Sequence, residues 1–276
     1  MSETQIASFE QADFNECASE AVDALAVDGV VCIRNATNGH WLSQLESGIA
    51  AALAGASTDV DIVRRDGDTG SFSFSSGAWQ AVDEFRRFIF DSPLADTVWP
   101  LLDSDQLVLF YDFLLIKEAR SARAATPWHQ DHSYYPIDGR KVVNSWTALD
   151  PIPLETALRF IRGSHQPGIL YRAVDFDDPA AQYRHARNEL ALPETGVGNG
   201  EIVATALNPG DMLVWSSYTL HTAPGNALDT RRAAFSVNWV GDDVTFNGHD
   251  ALDTYLDATL EVGEPIICDK FPLVRS

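Results

Sequence analysis

The sequence predicts an α+β fold in which helices pack on an antiparallel sheet or barrel. Helical periodicity runs through roughly the first hundred residues and strand-like segments through roughly the next hundred and forty, an order that segregates helices from strands. The chain has 276 residues, ample for a sizeable core in one large domain or two small ones. Its residues are 45% hydrophobic and 21% charged, a globular composition.

Residues 9–28 place Phe14, Ala18, Val22 and Leu25 at helical spacing, and Gly29 ends that helix. VVCIRN (30–35) reads as a short strand. Thr37 or Asn38 caps a second helix over 41–53, which ends near Gly55. Residues 56–78 are rich in Asp, Gly and Ser and read as loop. A helical pattern returns over 78–90. Ser92 and Pro93 then fit the N-cap and first position of a further helix through Leu102. From there the pattern changes to strands: LVLFYDFLLIK (107–117), VVNSWTAL (142–149), LRFIRG (158–163), DMLVWSS (211–217) and RAAFSVNWV (232–240), with turn signals between them. Residues 172–200 form a polar excursion with poor strand character.

The formal charge of −21 repels phosphodiester backbones, so nucleic acid is not expected as a partner. No apolar run approaches the roughly 20 residues of a membrane span, so no membrane association is expected. MSETQIASFEQADF has no apolar core of a signal peptide. The three cysteines, Cys17, Cys32 and Cys268, are widely spaced and form neither a disulfide framework nor a thiolate zinc pattern. Together these features point to a reducing cytoplasm.

The chemistry sits in the β half. In TPWHQDHSYYP (126–136), His129 and Asp131 are two residues apart, which on an extended segment aims both at one face. His221, in YTLHTAPGN just after DMLVWSS, is a third candidate ligand. Two histidines and one carboxylate on one face of an octahedral ion suit non-haem Fe(II). Three such ligands plus water also suit a hydrolytic zinc ion, and HxD alone also fits a hydrogen-bonded pair in a loop. Arg232, eleven residues after His221, weighs toward iron. A guanidinium there can pair bidentately with the 5-carboxylate of 2-oxoglutarate, and a zinc hydrolase has no use for it.

WHQD, NSWTALD, LRFIRGSHQPG, NPGDMLVWSSYTLHTAPGN and RRAAFSVNWVGDD together resemble the phytanoyl-CoA dioxygenase family over roughly residues 20–275. GVVCIRN, FDSPLAD and DKFPLVR extend the likeness. The resemblance implies an oxygenase dependent on Fe(II), 2-oxoglutarate and O₂, built on a double-stranded β-helix (jelly roll) with helices on one sheet. It implies His129, Asp131 and His221 as iron ligands and Arg232 as the 2-oxoglutarate arginine. It also implies Trp146 and Phe113 as co-substrate neighbours. Arg162 departs from the proline common before GSH. Arg231 is set aside, because the register that turns Arg232 inward turns Arg231 outward. The domain reading is one unit over 1–276: helical support over 1–103, the jelly-roll core over 104–245, and a C-terminal extension over 246–276.

Asn144 shares parity with Trp146, so it either contacts co-substrate or substrate or satisfies nearby backbone. Trp128 either walls the substrate pocket or belongs to the core. Alternation sends one of Tyr134 and Tyr135 inward. With Trp215 these aromatics suggest a partly apolar substrate pocket. Lys117, at a strand end, reads as a solvated surface residue. His132 has the wrong parity to be a ligand.

The expected reaction is hydroxylation with release of succinate and CO₂. Desaturation, epoxidation and ring formation are alternatives, as is a jelly roll that binds without catalysis. The carboxylate ligand leaves no room for chloride, which favours hydroxylation over halogenation. With three lysines and a large acidic excess, a small organic substrate is expected rather than a CoA thioester. Residues 172–200, with a helix over 179–190 and hinges at Gly196, Gly198 and Gly200, are expected to form a mobile lid that sets substrate choice.

Overall fold

The strand Arg232–Val240 is buried along its whole length, because both of its faces are covered. Phe235, Val237 and Trp239 point into the cluster shared with the helices. Arg232, Ser236 and Asn238 point the other way, into a cavity. That alternation places helices on one side of the sheet and a second sheet on the other. A computed structural model, which describes residues 4–57, 60–176, 183–186, 190–192 and 200–276, has this arrangement throughout and is a jelly roll.

The large sheet runs Ser8–Glu10, Val30–Arg34, Met212–Ser216, Val142–Ala148, Arg232–Val240, Leu107–Lys117, Phe72–Ser76 and Val60–Val63, with Leu273–Arg275 added against Leu107–Lys117. The small sheet runs Thr4–Gln5, Ile202–Ala204, Arg159–Ile161, His221–Ala223 and Thr126–His129. Helices α1 (Phe14–Asp28), α2 (Gly39–Ala51), α3 (Asp83–Asp91) and α4 (Leu94–Leu102) contribute to the core on the outer face of the large sheet. There Phe85 and Phe88 pack on Phe235 at 4.5 and 5.9 Å between ring centroids. Among the described residues no helix is long and apolar enough to cross a membrane.

Local chemistry explains the joints. Gly29 ends α1 at φ 81°, its N–H bonded to Leu25 O at 2.8 Å. A Cβ there would also lie 2.5 Å from the His165 ring and 2.6 Å from Thr219 Oγ1, so only glycine fits. The Asn38 side chain caps α2 by accepting from the N–H groups of His40 and Trp41. Ser92 accepts from Leu94 N at 3.2 Å at the start of α4. In Leu107–Lys117 the register against Arg232–Val240 shifts between Asn238 and Trp239. Phe110 is the extra residue, and this bulge brings both Phe110 and Tyr111 to the cavity.

Four expectations need correction. Residues 8–10 form a strand parallel to Val30–Arg34, so the first helix begins at Phe14 rather than residue 9. The expected loop over 56–78 contains the strands Val60–Val63 and Phe72–Ser76, which extend the large sheet. The 78–90 helix divides into a 3₁₀ turn, Ala78–Gln80, and α3. Lys117 is not on the surface: it is 3% exposed, because a strand covers each side of it. The 179–190 helix and the hinges at Gly196 and Gly198 lie largely outside the described residues. Within 183–186 there is a turn, closed by Ala186 N on Tyr183 O.

Candidate metal and co-substrate site

Two chain reversals build the site. After Met212–Ser216 a tight turn, Thr219 N to Ser216 O at 2.8 Å, carries the chain from the large sheet to the small one and starts His221–Ala223. On the neighbouring strand His129 pairs in register with His221, and the two rings are 4.2 Å apart. Gln130 then locks the backbone between the two halves of HxD. Its amide donates to Ile169 O and Tyr218 O, and its carbonyl accepts from Tyr171 N. Asp131 follows at the head of a 3₁₀ turn. His129 Nε2 lies 3.4 Å from Asp131 Oδ1, and His221 Nε2 lies 3.6 Å from Oδ2. One donor atom from each of the three lies within 4.8 Å of the others.

Each ring is oriented by its other nitrogen. His129 Nδ1 is 2.9 Å from Pro127 O, and His221 Nδ1 is 3.0 Å from Thr219 O. A carbonyl can only accept, so Nδ1 carries the proton and the Nε2 lone pairs face Asp131. Burial pushes His221 down to about 4, which keeps it neutral, the form that binds a metal. Burial alone would raise Asp131. The positive charge that His221 gains at low pH, the His129 ring and the Trp215 N–H outweigh it and hold the carboxyl at about 2. Trp215 Nε1 donates to Asp131 Oδ2 at 3.0 Å, and Asn144 Nδ2 donates to the same oxygen.

The triplet opens on a cavity of about 840 Å³ that is also lined by Trp146, Arg232 and Lys117. Arg232 is buried, its Cζ lies 5.4 Å from the Trp146 ring, and its Nε has no partner. Burial lowers its guanidinium to about 10. Arg231 is different. It faces outward and holds Asp150 at 2.8 Å and Glu46 at 3.1 Å. A buried, unpartnered guanidinium beside an indole calls for a ligand anion, and two imidazoles with one carboxylate are a donor set suited to Fe(II). The residues present therefore fit both iron and 2-oxoglutarate.

Other expected site residues divide. Phe113 lines the cavity 6.0 Å from Phe74. Tyr134 and Tyr135 both line it, against the expectation of one, because they leave a 3₁₀ turn rather than a strand. Trp128 lies on the opposite face of its strand from His129 and does not line the cavity. Asn144 and Trp215 do line it, but they bond Asp131 and so support a ligand. His132 is buried against Tyr218, its Nδ1 3.0 Å from Ser217 Oγ. Sequence reasoning missed Lys117 and the aromatic wall of Phe72, Phe74, Tyr111, Phe176 and Tyr255. The available signal was parity: Lys117 shares a face with Phe113 and Leu115 on one strand.

Two histidines and a carboxylate converging inside a jelly roll, with a buried arginine lining the same cavity, define a non-haem Fe(II)- and 2-oxoglutarate-dependent oxygenase. The chain belongs to the phytanoyl-CoA dioxygenase (PhyH) family, whose model matches residues 25–234. Among solved structures it is similar to the α-ketoglutarate-dependent carbocyclase SnoK from nogalamycin biosynthesis. That match has 21% identity and a TM-score of 0.71, and covers 92% of this chain and 95% of that one. It is also similar to the α-ketoglutarate-dependent epimerase SnoN from nogalamycin biosynthesis, with 22% identity and a TM-score of 0.72 over 95% of this chain and 100% of that one. AviO1 from Streptomyces viridochromogenes Tue57 matches at 18% identity and a TM-score of 0.61, over 81% of this chain and 94% of that one. The curated proteins give no match.

Proposed function

We propose that His129, Asp131 and His221 hold Fe(II), that Arg232 binds the distal carboxylate of 2-oxoglutarate beside Trp146, and that the enzyme hydroxylates a small organic molecule. The observation that carries this is the convergence of the three donor atoms and the buried, unpartnered Arg232 on one cavity. Bound iron would supply the oxidising chemistry in which 2-oxoglutarate, O₂ and the substrate give succinate, CO₂ and the hydroxylated substrate, one oxygen atom going to succinate and the other to the product. The chain supplies geometry. The His129 and His221 backbone contacts aim Nε2, Trp215 and Asn144 hold Asp131, and the walls exclude water.

The substrate space is aromatic. Phe74, Phe113, Tyr111, Tyr134 and Phe176 line it, with Asp61, Asp175 and Asp253 among its charged residues. Arg65 and Lys270 line it too, so it is the chain's formal charge of −21, rather than the lining, that disfavours the phosphates of a CoA thioester. The reading is a largely apolar small molecule of the secondary-metabolite kind, in keeping with the carbocyclase and epimerase similarities. Those two similarities also favour a second outcome at the same site, ring formation or another rearrangement in place of hydroxylation. A substrate screen scored by succinate release tests the reading, with product masses separating addition of oxygen from loss of two hydrogens. Substrate-stimulated succinate is expected, and its absence with every aromatic and polyketide-like candidate would contradict the substrate class.

The chain is read as one catalytic unit, with 1–103 as support, 104–245 as core and 246–276 as extension. The free cysteines suit a cytoplasmic setting. Within 172–200 we assign the lid role to the part that reaches the site. Val174 exchanges hydrogen bonds with the Tyr134 hydroxyl, and Phe176 packs 4.8 Å from the His129 ring. Hydrogen exchange over 172–176 should slow when substrate binds. Equal, high protection in both states would contradict a lid.

A further inference from the structure

We propose that Asn238 is a specificity-determining residue that donates a hydrogen bond to a ring hydroxyl or ketone oxygen of the substrate, which makes the substrate an oxygenated aromatic rather than a hydrocarbon chain. The proposal rests on the oxygenase reading above and narrows its substrate class. Asn238 is buried and faces the cavity from the strand Arg232–Val240. It lies six residues past Arg232, roughly 20 Å along a strand, beyond the reach of a five-carbon diacid anchored on that arginine. In register it stands between Tyr111 on one neighbouring strand and Asn144, which bonds Asp131, on the other. Asn238 therefore belongs to the substrate end of the cavity, one strand away from the residue that holds the carboxylate of the triplet.

A polar island interrupts the aromatic wall here. The Tyr111 and Tyr135 hydroxyls are 2.7 Å apart, and the Tyr135 hydroxyl donates to Asn238 Oδ1 at 3.4 Å. A phenol has one O–H to donate, so Tyr135 spends its proton on Asn238 and Tyr111 spends its proton on Tyr135. The chain ends on an amide whose carbonyl is taken, and among the described residues nothing accepts from its N–H groups. A buried amide donor left without an acceptor is unfavourable, and an N–H group can only donate, so the partner that completes it is an oxygen brought in by a ligand. The backbone is built to hold this arrangement. The bulge beside Asn238 keeps Tyr111 turned inward opposite it, and the Tyr255 ring packs 5.0 Å from Tyr111 and 5.2 Å from Tyr135. Phe74, Phe113 and Phe176 offer apolar faces in the same cavity for the ring that carries the oxygen.

The test compares two probes of one ring system, 1-naphthol and 1-methylnaphthalene, which differ by a hydroxyl in place of a methyl. Dissociation constants are read by equilibrium dialysis on the protein loaded anaerobically with Fe(II) and 2-oxoglutarate, for the wild type, Asn238→Leu, Asn238→Ala and Asn238→Ser. Asn238→Leu should shift the ratio of the two constants at least tenfold toward 1-methylnaphthalene, and Asn238→Ser, which keeps a short donor, should recover part of the shift. Unchanged 2-oxoglutarate affinity on Arg232 reports that the shared strand is intact, and Asn238→Ala carries the comparison if Asn238→Leu loses that affinity. A ratio that stays at its wild-type value in the intact variants, as for an amide that only braces the tyrosines, would overturn the proposal. So would a wild type that binds neither probe. A wild type that binds Fe(II) but no 2-oxoglutarate would overturn the oxygenase reading itself.

Discussion

His221→Ala abolishes Fe(II) binding and all succinate formation while leaving the jelly roll folded. His221 is buried but starts a three-residue strand at the cavity, away from the helix-backed core where Phe85 packs on Phe235. The loss removes one of three donor atoms that lie within 4.8 Å of one another, and no other described His, Cys, Asp or Glu joins that group to replace it. His129→Ala behaves the same way. Trp215→Phe gives the contrast: it removes one N–H from Asp131 but no ligand, so metal affinity should fall on the order of 10–100-fold rather than vanish. Metal titration followed by chemical denaturation of the same samples checks both parts. Full succinate-forming activity in either histidine variant would contradict the ligand assignment.

Arg232→Ala raises the 2-oxoglutarate requirement sharply without displacing the metal. Removing the partner of a buried carboxylate costs about 2–5 kcal/mol, which corresponds to at least a thirtyfold loss of affinity. Arg231→Ala should have little effect on 2-oxoglutarate, because its guanidinium is committed to Asp150 and Glu46 on the far side of the strand. Saturation curves for 2-oxoglutarate in the two variants decide between them. A larger effect from Arg231 would contradict the assignment of Arg232.

Much of this site was legible in the chain because it rests on alternation. HxD on extended backbone and the opposite facing of Arg231 and Arg232 follow from a period of two, while the eleven residues from His221 to Arg232 are a spacing that spans a loop between the two sheets. The failures also have physical causes. FSFSS alternates as a strand should, but neighbouring Gly, Asp and Ser obscured it, and only pairing with Leu107–Lys117 makes it part of a sheet. Lys117 was placed by residue type, although its parity with Phe113 and Leu115 pointed inward. Tyr134 and Tyr135 broke alternation because the backbone there is a 3₁₀ turn. The indole of Trp215 and the amide of Asn144 reach Asp131 from adjacent strands, Met212–Ser216 and Val142–Ala148, a contact between segments distant in sequence.

The central claim is that one cavity holds iron on His129, Asp131 and His221 and 2-oxoglutarate on Arg232. Anaerobic addition of Fe(II) and then 2-oxoglutarate, followed by visible absorption, tests it most directly. The account predicts a weak charge-transfer band that saturates at one 2-oxoglutarate per chain, is absent in His221→Ala, and needs far more 2-oxoglutarate in Arg232→Ala. A protein that takes up Fe(II) but develops no band at any 2-oxoglutarate concentration would contradict it.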